Sequence, residues 1–325
     1  MTPPAVAVVG AGSIGTAFAL VFARAGFTVR VQDPDAERLA ASPGEVRARL
    51  EDLAGFGLVR EPTQTILGRI AFTGSLAEAV AGADHVQECA PEQLETKRRL
   101  FAELDRLAPP HAVLASASSA LMPSLIAAGL PGQARCLVLH PGNPPFLLAV
   151  VEVVPAPFTD PGTVARCERL CVAAGLAPIR VGKEVEGFVF NRLQGALLRE
   201  AYCLVRDGVA SVEDVDRIVR DGLGLRWSVV GPFEAVDLNT RGGIAAHAER
   251  MGPAYARMGA ERGQDDPWTP DLVQRVEEAR RRRLPLDRWA ERVAWRDRAM
   301  MAVLAGRRGH DPPQPPPPPT DLEPS

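Results

Sequence analysis

Ala5-Val6-Ala7-Val8-Val9-Gly10-Ala11-Gly12-Ser13-Ile14-Gly15 sets five apolar strand formers directly against a Gly-x-Gly-x-x-Gly turn. Ile14 to Ala25 then carries apolar residues at helical spacing and stops at Gly26, and Thr28 to Gln32 reads as a second strand closed by Asp33. Strand, glycine turn, helix and strand make one complete βαβ unit, the setting in which this glycine pattern becomes specific. Glycines at 10, 12 and 15 let the backbone approach a pyrophosphate, and the helix start at Ser13 and Ile14 offers it unpaired N–H groups. A carboxylate closing the second strand accepts hydrogen bonds from both ribose hydroxyls and repels a 2′-phosphate. Asp33 therefore points to NAD rather than NADP, its other reading being a turn residue ahead of Pro34.

Outward from this unit, strands are expected at His85 to Cys89, Val113 to Ser116, Arg135 to Leu139, Val150 to Val154 and Pro178 to Val181, with helical patterns between most of them. This alternation predicts a doubly wound α/β domain over residues 1–185, with ligands at the carboxyl edge of the sheet. The pattern changes at Gly187. Asn191 to Asp207, Val212 to Gly222, Leu272 to Arg283 and Leu286 to Leu304 read as helices with no strand pattern between them. A smaller all-helical domain is expected there, over 186–308, covering the substrate cleft and joining two copies into a homodimer. From 309 to 325, Pro312, Pro313 and Pro315 to Pro319 forbid helix and ladder pairing, so a disordered, extended tail is expected.

A length of 325 residues with 46% hydrophobic content suffices for two domains with their own cores. The 37 basic and 40 acidic residues are interleaved and sum to a net charge of −3, which leaves no broad basic face for nucleic-acid phosphates. The basic run Arg280 to Arg283 follows Glu277 and Glu278 and reads as a mixed-charge helix face. A small-molecule partner is the expectation. Five cysteines without Cys-x-x-Cys spacing or nearby histidine pairs indicate neither a disulfide framework nor a metal site. No leader pattern and no membrane-length apolar window is present, so a cytoplasmic protein is expected.

The chemistry concentrates in His140-Pro141-Gly142-Asn143-Pro144-Pro145, in Glu152, and in Gly187-Phe188-Val189-Phe190-Asn191-Arg192. His140 closes a strand at the ligand-binding edge, and Glu152 lies on the next strand, which can run beside the first. A carboxylate on one imidazole nitrogen fixes the tautomer, raises basicity and stabilises the imidazolium formed when the other nitrogen takes a hydroxyl proton. With a dinucleotide nearby, the combination reads as hydride transfer from a secondary alcohol to nicotinamide. Ser119 and Asn191, by residue type alone, are polar groups among apolar neighbours that could equally serve as caps or domain-junction contacts.

Gly10 to Gly15, Glu88-Cys89-Ala90-Pro91-Glu92 with Lys97, Ser116 to Ser119, His140 to Pro144, Glu152 and Gly187 to Arg192 resemble, in order and spacing, the 3-hydroxyacyl-CoA dehydrogenase superfamily. Ser119 to Ser124, His140 to Pro145, Lys183 to Phe188 and Gly222-Leu223-Gly224-Leu225-Arg226-Trp227 look most like its lambda-crystallin branch, whose members are L-gulonate 3-dehydrogenases. The resemblance implies that His140 is the catalytic acid/base and Glu152 its partner, and that Ser119 and Asn191 hold the reacting oxygen. It also implies Asn143 near nicotinamide and substrate, and Glu92 and Lys97 on the cofactor. The family often has asparagine where Ala117 stands and an aromatic pair where Pro141 and Gly142 stand; these departures bear on acyl-chain contacts and leave the dyad intact.

Charge directs the choice of substrate. Acyl-CoA members carry a lysine-rich helical hairpin after the second strand, whereas Asp33 to Ile70 here contains no lysine and offers only Arg38, Arg47, Arg49, Arg60 and Arg69. Arg226, after a glycine-rich turn in the helical part, can bind a free carboxylate through two parallel hydrogen bonds, or pair with an acid such as Asp237. The expected activity is NAD-dependent oxidation of a small 3-hydroxy acid, L-gulonate foremost. The alternatives are a 3-hydroxyacyl-CoA, L-carnitine with its cation against Trp227, and a non-catalytic NAD-binding structural protein.

Overall fold

The structure is a computed structural model that describes residues 4–228, 230–240, 243–262, 271, 282 and 285–307. The expected Leu272–Arg283 helix and the proline-rich 309–325 tail lie outside the described residues, apart from Arg282. Eight strands form one sheet: β1 (Ala5–Val9), β2 (Thr28–Gln32), β3 (Ile70–Thr73), β4 (His85–Glu88), β5 (Val113–Ser116), β6 (Cys136–Pro141), β7 (Val150–Pro155) and β8 (Ala177–Arg180). Their order is β3-β2-β1-β4-β5-β6-β7-β8, with every neighbour parallel except the antiparallel β6–β7 pair. The chain thus moves from β1 outward to β2 and β3, then returns to β4 on β1's other side. The carboxyl ends of β1 and β4 flank the point where the order reverses, the place where open α/β sheets bind ligands.

The helices of the sheet region are α1 (Ser13–Arg24), α2 (Ala36–Gly55), α3 (Thr63–Leu67), α4 (Leu76–Val80), α5 (Leu94–Leu107), α6 (Pro123–Ala127) and α7 (Pro161–Ala173). Helix α1 is buried from Gly15 to Ala23 because nearly every residue is small or apolar, and Phe22 stacks on Phe18 and Phe27 at 5.8 and 6.0 Å. Seven strands match their expected positions within two residues. Strand β3 was not expected: Ile70-Ala71-Phe72-Thr73 is a short, half-buried edge strand, too brief to show a period of two.

The described residues divide into two compact units, one running to Phe190 and resuming at Val293, the other Asn191–Arg292. The second unit contains α8 (Phe190–Arg206, whose first residue belongs to the first unit), α9 (Val212–Arg217), α10 (Gly224–Trp227), α11 (Pro232–Asn239) and α12 (Gly243–Arg262). The helix expected over Val212 to Gly222 is divided: α9, capped by Ser211, passes into a π-helical turn over Ile218–Leu223. Among the described residues the last helix is α13 (Trp289–Arg307), which groups from Val293 onward with the sheet unit, whereas the sequence places it in the helical domain. Met301 is buried in the larger core cluster of the sheet unit and Arg298 lies 3.4 Å from Asp52. Helical periodicity identifies an apolar face but not the core that it joins. No helix among the described residues is long and apolar enough to cross a membrane.

Candidate active site

Antiparallel pairing sets His140 of β6 directly opposite Glu152 of β7. Directly opposed residues project on the same face, and the imidazole Nδ1 meets the carboxylate Oε2 at 2.7 Å, with both side chains buried. The other carboxylate oxygen, Oε1, accepts the backbone N–H groups of Val189 and Phe190 at 2.7 and 3.0 Å. Burial pushes the Glu152 pKa up, but the bonds from His140, Phe190 and Val189 outweigh it and hold the carboxyl below its ordinary range. Glu152 is therefore a carboxylate that fixes Nδ1 and leaves Nε2 outside this contact.

The glycine turn has the close approaches its sequence requires. Gly10 has φ +101°, and a Cβ there would lie 2.8 Å from the carbonyl oxygen of Cys89; one on Gly15 would run into the carbonyl of Gly10. A Cβ on Gly12 would meet nothing within 4 Å, so this backbone is open to a ligand. Asp33 ties the turn down: Oδ2 accepts from the Ala11 N–H at 2.7 Å and Oδ1 from Asp35 N–H at 2.9 Å. A cavity of about 820 Å³ opens here, lined by Gly10, Gly12, Ser13, Ile14, Asp33 and Cys89 among others. The bare backbone at Gly12, the N-terminus of α1 and a carboxylate at the far end of the turn suit a dinucleotide, and the cofactor is NAD.

Lys97, expected on the cofactor, is engaged within the protein. Its ammonium is buried and donates to both oxygens of Glu88, at 2.9 and 3.0 Å, and to the carbonyl of Ala90 at 3.1 Å. Those three acceptors use its three donor hydrogens. Glu88 in turn accepts from Ala90 N–H at 2.7 Å and from the Ser116 hydroxyl at 2.5 Å. Lys97 thereby braces the turn at Ala90 and Pro91 that lines the cofactor cavity. Glu92 lies 3.5 Å from Lys97, and its Oε1 gathers the Ser118 hydroxyl and the N–H groups of Ser119, Ala120 and Leu121 between 2.6 and 3.4 Å. Burial raises the Glu92 pKa, but Ser118, Lys97 and the backbone donors bring it below the ordinary value. Glu92 thus holds the loop that presents Ser119. Glu88 and Ser116 stood in the quoted motifs without a role; the available signal was a carboxylate and a hydroxyl closing adjacent apolar strands.

Ser119 is exposed after β5, and Asn143 is exposed beyond the end of β6, the next strand in the sheet. Asn191 follows Phe190, whose N–H is bonded to Glu152, and is the first residue of the helical unit. Arg226 is exposed on α10 within that unit; Asp237, its alternative partner, instead accepts the N–H of Ile244 at 2.9 Å. The arginines between β2 and β3 are largely committed. Arg38 donates to Ala11 carbonyl at 2.7 Å and pairs with Glu45, Arg49 donates to the Thr16 hydroxyl at 2.8 Å, and Arg69 pairs with Glu61.

Comparison with known proteins agrees with this geometry. The family model for the 3-hydroxyacyl-CoA dehydrogenase NAD binding domain matches residues 5–185, and that for the C-terminal domain matches residues 187–283. A lambda-crystallin homolog of Bos taurus is 40% identical over 305 residues, covering 93% of this chain and 95% of the relative. A 3-hydroxyacyl-CoA dehydrogenase of Gibberella moniliformis is 36% identical, covering 93% and 94%. The solved structure of the 5-formyl-3-hydroxy-2-methylpyridine 4-carboxylic acid 5-dehydrogenase, an NAD+ dependent dismutase, superposes with a TM-score of 0.82 at 26% identity, covering 95% of this chain and 99% of that one. With a βαβ cradle for NAD, a histidine–carboxylate pair on adjacent strands and relatives matched along nearly their whole length, the chain belongs to the 3-hydroxyacyl-CoA dehydrogenase family, in its lambda-crystallin branch.

Proposed function

We propose that this chain oxidises the C3 hydroxyl of a small 3-hydroxy acid, with L-gulonate the first candidate substrate. The observation that carries the reading is the 2.7 Å contact between His140 Nδ1 and Glu152 Oε2, which leaves Nε2 as a base. NAD, when bound, supplies the hydride acceptor. His140 takes the hydroxyl proton as the carbonyl forms, and Glu152 stabilises the resulting imidazolium; a positioned base of this kind contributes roughly a hundred- to ten-thousandfold. Ser119, held by Glu92, and Asn191 orient the reacting oxygen, and Asn143 borders nicotinamide and substrate. Gly10, Gly12, Ser13, Ile14, Gly15 and Asp33 bind the dinucleotide, and Arg226 holds the substrate carboxylate.

A free acid is favoured over a CoA thioester because the stretch from Asp33 to Ile70 has no lysine and three of its five arginines are committed within the protein. The second reading, a 3-hydroxyacyl-CoA substrate, has the name of the Gibberella relative behind it. A purely structural role, as the word crystallin suggests, is disfavoured by the presence of both His140 and Glu152. The test is NADH formation with L-gulonate, L-carnitine and 3-hydroxybutyryl-CoA side by side. L-gulonate should show the highest kcat/KM, preference for the thioester would select the second reading, and no turnover of any secondary alcohol would end the enzymatic one.

The same reading includes a homodimer built through the helical unit. Leu193, Val209, Ile218, Leu225, Phe233 and Leu238 are each more than half exposed there, while Cys203 and Ala235 are its only fully buried hydrophobics among the described residues. Among the described residues these side chains have no cover, and a second copy provides an equivalent apolar face. Light scattering on the eluting protein should give twice the chain mass of 34.8 kDa.

A further inference from the structure

Phe188 is in an unusual state for its residue type. It follows Gly187, and both have left-handed backbone, φ +74° and +47°, a region where a bulky side chain is unfavourable. The consequence is a reversal of exposure along three residues. Phe188 is fully buried, whereas Val189 and Phe190 are 45% and 37% exposed. The Phe188 ring lies 5.6 Å from the imidazole of His140, tilted at 56°, and the Phe190 ring meets the same imidazole edge-on at 6.2 Å. The two N–H groups that follow the strained residue, those of Val189 and Phe190, are the ones bonded to Glu152 Oε1.

We propose that Phe188 is a positioning residue for the reaction: the left-handed Gly187–Phe188 turn drives its ring against the His140 imidazole while aiming the next two N–H groups at Glu152. The proposal rests on the role given to His140 above and adds a second support to it. A hydrogen bond from Nδ1 to a carboxylate fixes one point of the imidazole but leaves rotation about that contact. Two aromatic rings at different inclinations remove this freedom and fix where Nε2 points. The turn therefore acts on both members of the dyad, on one through packing and on the other through backbone donors.

The test compares wild type with Phe188→Leu, which keeps a smaller apolar side chain and removes the ring, and Phe188→Met, whose unbranched chain adapts to the space if the leucine variant fails to fold. Each is measured for kcat and KM over pH, for NADH binding by fluorescence, and for the rate at which diethylpyrocarbonate modifies His140, with His140→Ala as background. Misplacement of a catalytic base by about 1 Å costs on the order of a hundredfold. The expected result is a fall of tenfold or more in kcat, in the range of that estimate, with KM and NADH affinity nearly unchanged and the His140 modification rate altered. A variant that binds NADH and keeps wild-type kcat, pH profile and modification rate would make Phe188 core filler and overturn the proposal. Should wild type oxidise none of the offered hydroxy acids, the proposed function fails, while the modification rate still decides whether Phe188 holds the imidazole.

Discussion

Lys97 and Glu88 form an ion pair of 2.9 Å in which neither side chain exceeds 1% exposure. Two charges removed from water so completely need every remaining donor and acceptor satisfied, and Ala90, Ser116 and both Glu88 oxygens do this. Lys97→Met removes one partner and strands a buried carboxylate, a change that costs about 3–5 kcal/mol. Pairing it with Glu88→Gln should recover part of that loss in denaturant unfolding, because no unpaired charge remains. Equal stability of wild type and Lys97→Met would show that the pair does not brace this turn.

The role proposed for Asp33 is to set the choice of dinucleotide. Its carboxylate lines the cofactor cavity and would confront the 2′-phosphate of NADP. The kcat/KM for NAD should exceed that for NADP by about tenfold or more, and Asp33→Ser should narrow the gap. Equal use of both cofactors by wild type would leave Asp33 only its bonds to Ala11 and Asp35.

His85 makes stability depend on pH. It is buried in β4, its Nε2 is 3.1 Å from Gln87 Oε1, and its Nδ1 and the Gln87 Nε2 have no partner among the described residues. Burial, partly opposed by the Gln87 bond, pulls the His85 pKa down to about 4. The folded state therefore resists protonation while the unfolded chain takes a proton below about pH 6.5, so stability is complete above that value and falls toward pH 4. Between pH 7.5 and 5 the loss should be roughly 2 kcal/mol. Urea titrations of wild type and His85→Gln at both pH values check this, and an equal loss in the two proteins would remove His85 as its cause.

Arg226 tests the free-acid reading. Arg226→Ala should lower kcat/KM for the acid about ten- to a hundredfold, the worth of a charge-assisted hydrogen-bonded contact. Arg226→Lys should recover only part, since it lacks the planar two-bond geometry. Wild type should discriminate strongly against the neutral amide of the same hydroxy acid, and Arg226→Ala should not. If both discriminate equally, Arg226 does not bind the carboxylate and the thioester reading gains.

The parts legible in the sequence were those set by local rules. The glycine turn, the apolar strands and the order of His140 and Glu152 follow from backbone sterics and strand spacing, and the antiparallel register then brought the dyad together. The pairing of Lys97 with Glu88 was not legible, because a lysine near a cofactor motif does not reveal which carboxylate the fold buries beside it. The left-handed conformation of Phe188 leaves no composition signal beyond the glycine before it. Helix α13 joined the sheet unit because its contacts involve residues such as Asp52, more than two hundred positions away in the chain.

The most direct test of the account is the turnover of His140→Ala with L-gulonate and NAD at neutral pH, measured alongside NADH binding. NADH affinity should remain near wild type, since the glycine turn and Asp33 are untouched. The kcat should fall by about a hundredfold or more. A His140→Ala protein that binds NADH and turns over at the wild-type rate would contradict the assignment of His140 as the base.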